Sequence, residues 1–153
     1  MKKYLPLVLS LAIPFMVAYF GSAVTMPAIG GWYATLVKPA FSPPNWIFAP
    51  VWSALFLLMG ISSFLVWQKK KKIIYPLKIY GVQLLLNFLW SYFFFGLHRV
   101  DLAFIDIIFL WILIVLTIKA FYKVEKNAAY LLLPYIVWVS FATILNFSIL
   151  LLN

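Results

Sequence analysis

Apolar residues run in five long blocks along this chain, separated by short polar or proline-rich breaks. As an α-helix, each block is long enough to cross a hydrocarbon layer ~30 Å thick, which takes roughly 20 residues. The pattern predicts helices over approximately Tyr4–Met26, Asn45–Trp67, Ile74–Leu97, Leu102–Tyr122 and Ala128–Leu152. The breaks after the second, third and fourth are short, so neighbouring helices run antiparallel and no further domain fits between them. Backbone polar groups in lipid must pair within their own segment, which rules out an open strand. The predicted class is an all-α integral membrane protein, residues 1–153 forming one five-helix domain. Lys2 and Lys3 before an apolar run would also suit a signal peptide, but that run exceeds the roughly 7–15 apolar residues of such a segment.

The first break is of another kind. Trp32 to Trp52 reads WYATLVKPAFSPPNWIFAPVW, with four prolines and three tryptophans. Proline fixes φ, removes a backbone donor and pushes the residue before it out of the α region. This stretch cannot span as a helix, and its stiffness and aromatic content suggest an ordered lid.

Composition supports a lipid environment. Of 153 residues, 67% are hydrophobic and 10% charged, against roughly 25% charged in soluble domains. Aromatic residues reach 20%, more than interfacial belts require. With no cysteine, disulfides, thiolate metal sites and cysteine nucleophiles are excluded. His98 is the one histidine, and Asp101, Asp106 and Glu125 are the only acids, too few for a zinc or di-iron centre.

The net charge of +9 does not point to nucleic acid, because of where it falls. Lys2, Lys3, Lys69, Lys70, Lys71, Lys72, Lys78, Lys119, Lys123 and Lys126 lie at one end of the predicted bundle; Lys38 and Arg99 lie at the other. The positive-inside rule then puts the N-terminus in the cytoplasm, and the proline-rich loop and C-terminus outside. The Lys69–Lys72 run reads first as a topological anchor, with contact to anionic lipid or nucleic acid as the alternative.

Three helix faces carry candidate chemistry. Gln83, Asn87 and Trp90 share one face of the third helix. Amides in hydrocarbon face a neighbouring helix or a cavity, so Asn87 either bonds across the bundle or lines a ligand wall. Pro134, Trp138, Ala142 and Asn146 repeat at four-residue spacing on the fifth helix, and Trp52, Leu55, Met59 and Ser63 form a face of the second. Singly, such faces are packing surfaces; three together, each with a tryptophan in the loop-side half or at the midplane, suggest a cavity below the loop. Asp106 is an intramembrane acid and hence a candidate proton site, though Asp101 and Arg99 nearby favour an interfacial ion pair or a helix-start charge. His98 is expected in the headgroup zone, with haem ligation as the minor reading. Leu116, Tyr122 and Lys126 fit a loose sterol-contact pattern of little specificity.

The residues resemble the TspO/MBR family, the tryptophan-rich sensory proteins and translocator proteins also called peripheral benzodiazepine receptors. The most specific match is W-Y-x-x-L-x-K-P-x-x-x-P-P at Trp32–Pro44 followed by W-x-F-x-P-V-W at Trp46–Trp52. N-x-x-W-S at Asn87–Ser91 and P-Y-x-x-W-x-x-F-A-T-x-L-N at Pro134–Asn146 extend it over nearly the whole chain. The resemblance implies a five-helix bundle, often a homodimer, in a bacterial cytoplasmic membrane. It implies no obligatory cofactor, but a ligand such as protoporphyrin IX, haem or another flat lipophilic molecule. Matching positions imply that Trp52, Asn87, Trp90, Trp138, Ala142 and, with them, Asn146 form the pocket, while Trp32, Pro39, Pro43 and Pro44 close it. In some bacterial members tryptophans matching Trp52 and Trp138 are implicated in light-dependent porphyrin breakdown; small-molecule transport is the other activity considered. Two departures stand out. Phe41 replaces a common tryptophan, and the segment from Asn146 to Asn153 lacks the animal members' sterol-motif tyrosine and arginine, so strong sterol recognition is not expected.

Overall fold

A computed structural model describes residues 3–153. Five long apolar helices cross the molecule, and no strand occurs among the described residues. In chain order the elements are α1 (Leu5–Ile29), α2 (Trp32–Thr35), α3 (Phe48–Gln68), α4 (Ile74–Ser91), α5 (Val100–Val124), α6 (Lys126–Leu131) and α7 (Leu133–Leu152). The spans are α1, α3, α4, α5 and the α6–α7 pair. The protein is thus a five-helix membrane bundle.

Its departures from the expected boundaries have local causes. α1 continues through Pro27 to Ile29, beyond the expected Met26. The loop is not irregular throughout: α2 is a helical turn, and a 3-10 turn at Asn45–Ile47 leads into α3. α4 finishes in a π-helical turn, Tyr92–Gly96. The last span starts at Lys126 and breaks at Leu132, two residues before Pro134, which sits in the first turn of α7 where its missing N–H costs least.

The helices close a ring. α1 packs on α3 and α4, α4 on α5, α5 on α6 and α7, and α6 returns to α3. Met59, Val66, Ile114, Phe121 and Val139 are fully buried at its centre. α1 and α3 approach closely at Gly60, where an added Cβ would lie 2.9 Å from the Ser10 carbonyl oxygen and 3.2 Å from Leu11 Cα. A backbone neighbour cannot swing aside as a flexible side chain would. Gly60→Ala is therefore expected to cost about 1–3 kcal/mol, the usual range for overpacking, and thermal unfolding in detergent would show it as a lowered midpoint.

At the lysine-rich end, Lys69 pairs with Glu125, which also accepts the Asn127 amide and caps α6. The Lys69 ammonium and that amide hold the Glu125 carboxyl below the usual carboxylate range. Ser62 Oγ donates to the Ala128 carbonyl at 2.7 Å, tying α3 to α6. At the loop end, Arg99 grips Asp101 through two bonds of 2.8 and 2.6 Å. Asp106 takes no part in that pair, against the sequence expectation. It is buried on α5, with Oδ2 unpartnered among the described residues.

Candidate functional site

α3 leans on α1 and α6 while α7 leans on α5, and the seam between α3 and α7 is bridged by aromatic rings. Trp52 meets Tyr135 at 6.3 Å, Phe48 meets Trp138 at 6.0 Å, and Phe41 of the loop meets Phe141 at 6.3 Å, each edge to face. Rings this large hold the two backbones apart. Behind the seam, toward the loop end, lies a cavity of about 450 Å³, within the roughly 300–1,000 Å³ of small-molecule sites.

The expected residues divide cleanly. Trp52, Asn87, Trp90, Trp138, Ala142 and Asn146 all border the cavity. Trp32, Pro39, Pro43 and Pro44 do not. Consecutive residues of a helical turn point about 100° apart, so on α2 it is Tyr33, 3% exposed, that faces the cavity. Trp32 points away and lies flat on His98, ring centres 4.4 Å apart, beside a separate hollow of about 280 Å³. From this part of the chain it is Tyr33, Asn45 and Phe48 that border the cavity, and Pro39, Pro43 and Pro44 lie in the strap between them. That strap is clasped at its middle: the Asn153 side chain accepts the Val37 N–H at 3.0 Å and donates to the Val37 carbonyl at 2.9 Å.

Two hydrogen-bond chains fix the polar part of the wall. Trp90 Nε1 donates to Asn146 Oδ1 at 2.9 Å, and Asn146 Nδ2 donates to the Val100 carbonyl at 3.1 Å, which locks the Trp90 ring. Asn87 Nδ2 donates to the Tyr135 hydroxyl at 2.9 Å, which donates to Gln83 Oε1 at 2.7 Å. Asn87 thus bonds across the bundle and also borders the cavity. Met59, named with Trp52 on one face, lies deeper, under Gln83.

Sequence reasoning missed the wall built by α1. Ala18, Gly21 and Thr25, on one inward helical face, border the cavity, and the exposed Phe15, Tyr19, Ser22 and Met26 form its rim. The hydroxyls of Ser22 and Thr25 in an otherwise apolar stretch were the available signal. The Lys38 ammonium sits 4.7 Å from the Tyr33 ring centre and donates to the Leu36 carbonyl, outside the cavity lining, which carries no charged side chain among the described residues.

Comparison with known proteins gives a consistent result. The model of the TspO/MBR family matches residues 10–152. The chain is 44% identical over 156 residues to "Tryptophan-rich protein TspO" of Chlorobaculum tepidum, covering 99% of this chain and 98% of that protein. It is 43% identical over 150 residues to the protein of the same name from Archaeoglobus fulgidus, covering 97% of each. Similarity reaches animals: "Translocator protein" of Ovis aries is 40% identical over 120 residues, 76% of this chain and 71% of that protein.

Proposed function

The chain belongs to the TspO/MBR family, and from that premise we propose that it is a membrane sensor that binds tetrapyrroles such as protoporphyrin IX or haem, with related flat lipophilic molecules, in the cavity under the loop. Tryptophans from three helices, Trp52, Trp90 and Trp138, converge on one cavity, and this convergence carries the reading. A flat macrocycle needs broad apolar walls to cover its faces and a few fixed polar groups to orient it. The locked Trp90 and the tethered Asn87 meet that need with little side-chain freedom left to lose on binding. Lys38, poised over Tyr33, offers a cation to carboxylates at the ligand's rim, which are costly to bury unpaired.

The test is a protoporphyrin IX titration of purified protein, in the dark and then under light. Saturable quenching of tryptophan fluorescence in the dark is expected. Trp138→Ala should weaken it about tenfold or more, the equivalent of losing ~1.5–3 kcal/mol of aromatic burial. An unchanged titration in that variant would remove Trp138 from the site. Loss of porphyrin absorbance under light, absent in Trp52→Phe and Trp138→Phe, would instead make the protein a degrader.

A further inference from the structure

We propose that Met59 sets the direction of the buried hydrogen-bond chain behind Asn87, so that Asn87 turns its carbonyl oxygen toward the cavity and the site favours flat ligands that present an N–H or O–H donor. This rests on the cavity being the binding site and adds to that reading what the ligand must offer.

The direction follows from one acceptor. Met59 is fully buried, and its thioether sulfur can only accept a hydrogen bond. Gln83, 1% exposed, lies with Nε2 3.8 Å from that sulfur. An amide has one donating and one accepting end, so the donor end goes to the sulfur and Oε1 is left for Tyr135. The Tyr135 hydroxyl therefore spends its proton on Gln83 at 2.7 Å and accepts Asn87 Nδ2 at 2.9 Å. Asn87 Oδ1 is then the loose end of the chain, without a partner among the described residues, on a side chain that borders the cavity. Running the chain backwards would set the Gln83 carbonyl against the sulfur lone pairs, acceptor against acceptor.

The lining serine and threonine hydroxyls of α1 and α3 have the same sense. Ser22, Thr25 and Ser53 each donate to a carbonyl of their own helix, at 2.9, 2.8 and 2.8 Å, and show only lone pairs outward. Trp90 and Asn146 spend donors inside the protein. Trp138 Nε1 has no partner, but it is covered rather than presented to the cavity. A ligand donor that reaches Asn87 Oδ1 is satisfied there, and an unpaired buried polar group is the costlier case; other donors on the lining, Trp52 Nε1 and Ser91 Oγ, lie on α3 and α4.

Carbazole and dibenzofuran test this directly, being flat tricyclic molecules of one shape, the first with an N–H donor and the second with an ether oxygen in its place. Calorimetric titration into detergent-solubilised protein, corrected for empty micelles, is expected to give about threefold to tenfold tighter binding of carbazole. Met59→Leu keeps the volume but removes the acceptor, which frees the chain to reverse. The preference should then fall to unity or invert, with dibenzofuran gaining. As a positioning residue Met59 must move this ratio; a purely structural role would weaken both ligands alike and leave the ratio intact, which overturns the proposal. Should Met59→Leu not fold, Gln83→Leu releases Tyr135 in the same way and must abolish the same preference. Equal binding of both ligands to the unmodified protein refutes the donor selectivity alone. Failure of both to bind removes the cavity as their site, and the selectivity with it.

Discussion

Ala142→Phe is expected to lower protoporphyrin affinity at least about a hundredfold while leaving the bundle folded. Ala142 borders the cavity on α7, one turn from Trp138 and one from Asn146. The small methyl side chain at this position leaves room between Trp138 and, one turn nearer the loop, Asn146. A benzyl group placed there projects into open volume rather than into packed core, so the overpacking cost of about 1–3 kcal/mol should be largely avoided. The ligand, however, must give up the contacts of one face, and a hundredfold loss is ~2.7 kcal/mol, the scale of one buried aromatic contact. Ala142→Ser, adding a single atom, should bind almost normally. Affinity in Ala142→Phe within threefold of the parent protein would place the ligand elsewhere.

How much of this was legible beforehand depended on whether a residue's environment leaves a trace in composition. The spans are legible because lipid demands long apolar blocks, and the polar faces of the third and fifth helices are legible because an amide in hydrocarbon needs a reason. Asn87, Trp90, Trp138, Ala142 and Asn146 were found that way. The α1 wall was not read, since a helix face turned to lipid and one turned to an apolar cavity are both largely apolar; Ala18 and Gly21 carry no mark of the difference, and only the hydroxyls of Ser22 and Thr25 hinted at it. Trp32 and Tyr33 are adjacent aromatic residues, and only the helical turn of α2 decides which one faces inward. Asp106 was misjudged from its distance along the chain to Arg99. Five residues past Asp101, it stands on another side of α5, and the bidentate grip of Asp101 on Arg99 satisfies that cation without it. The break at Leu132 was foreshadowed by Pro134, whereas the π-turn at Tyr92–Gly96 has no comparable signature.

Tyr135→Phe is expected to destabilise the protein by about 2–3 kcal/mol, although it removes a single oxygen. Tyr135 is 1% exposed and its ring packs against Trp52, so phenylalanine keeps the shape and the apolar contacts. What changes is the hydroxyl that joins Asn87 on α4 to Gln83 through α7. Hydrogen bonds between helices in bilayers average only ~0.6 kcal/mol, and reach ~1.7, when the separated partners find others. Asn87 can do so by turning toward the cavity it borders. Gln83 cannot: it is 1% exposed, its donor end is already set against Met59, and its carbonyl is left in the core with nothing to accept from. A buried orphan of that kind costs ~1–3 kcal/mol, which sets the expected loss at the upper end. Reversible unfolding in detergent with added denaturant gives the number, and a second substitution gives its cause. In the Gln83→Leu/Tyr135→Phe pair the orphan is gone, so the double variant should recover to within about 1 kcal/mol of the parent. If the double variant loses as much as the two single variants summed, the two side chains are not coupled, and the oxygen of Tyr135 matters only for its own packing.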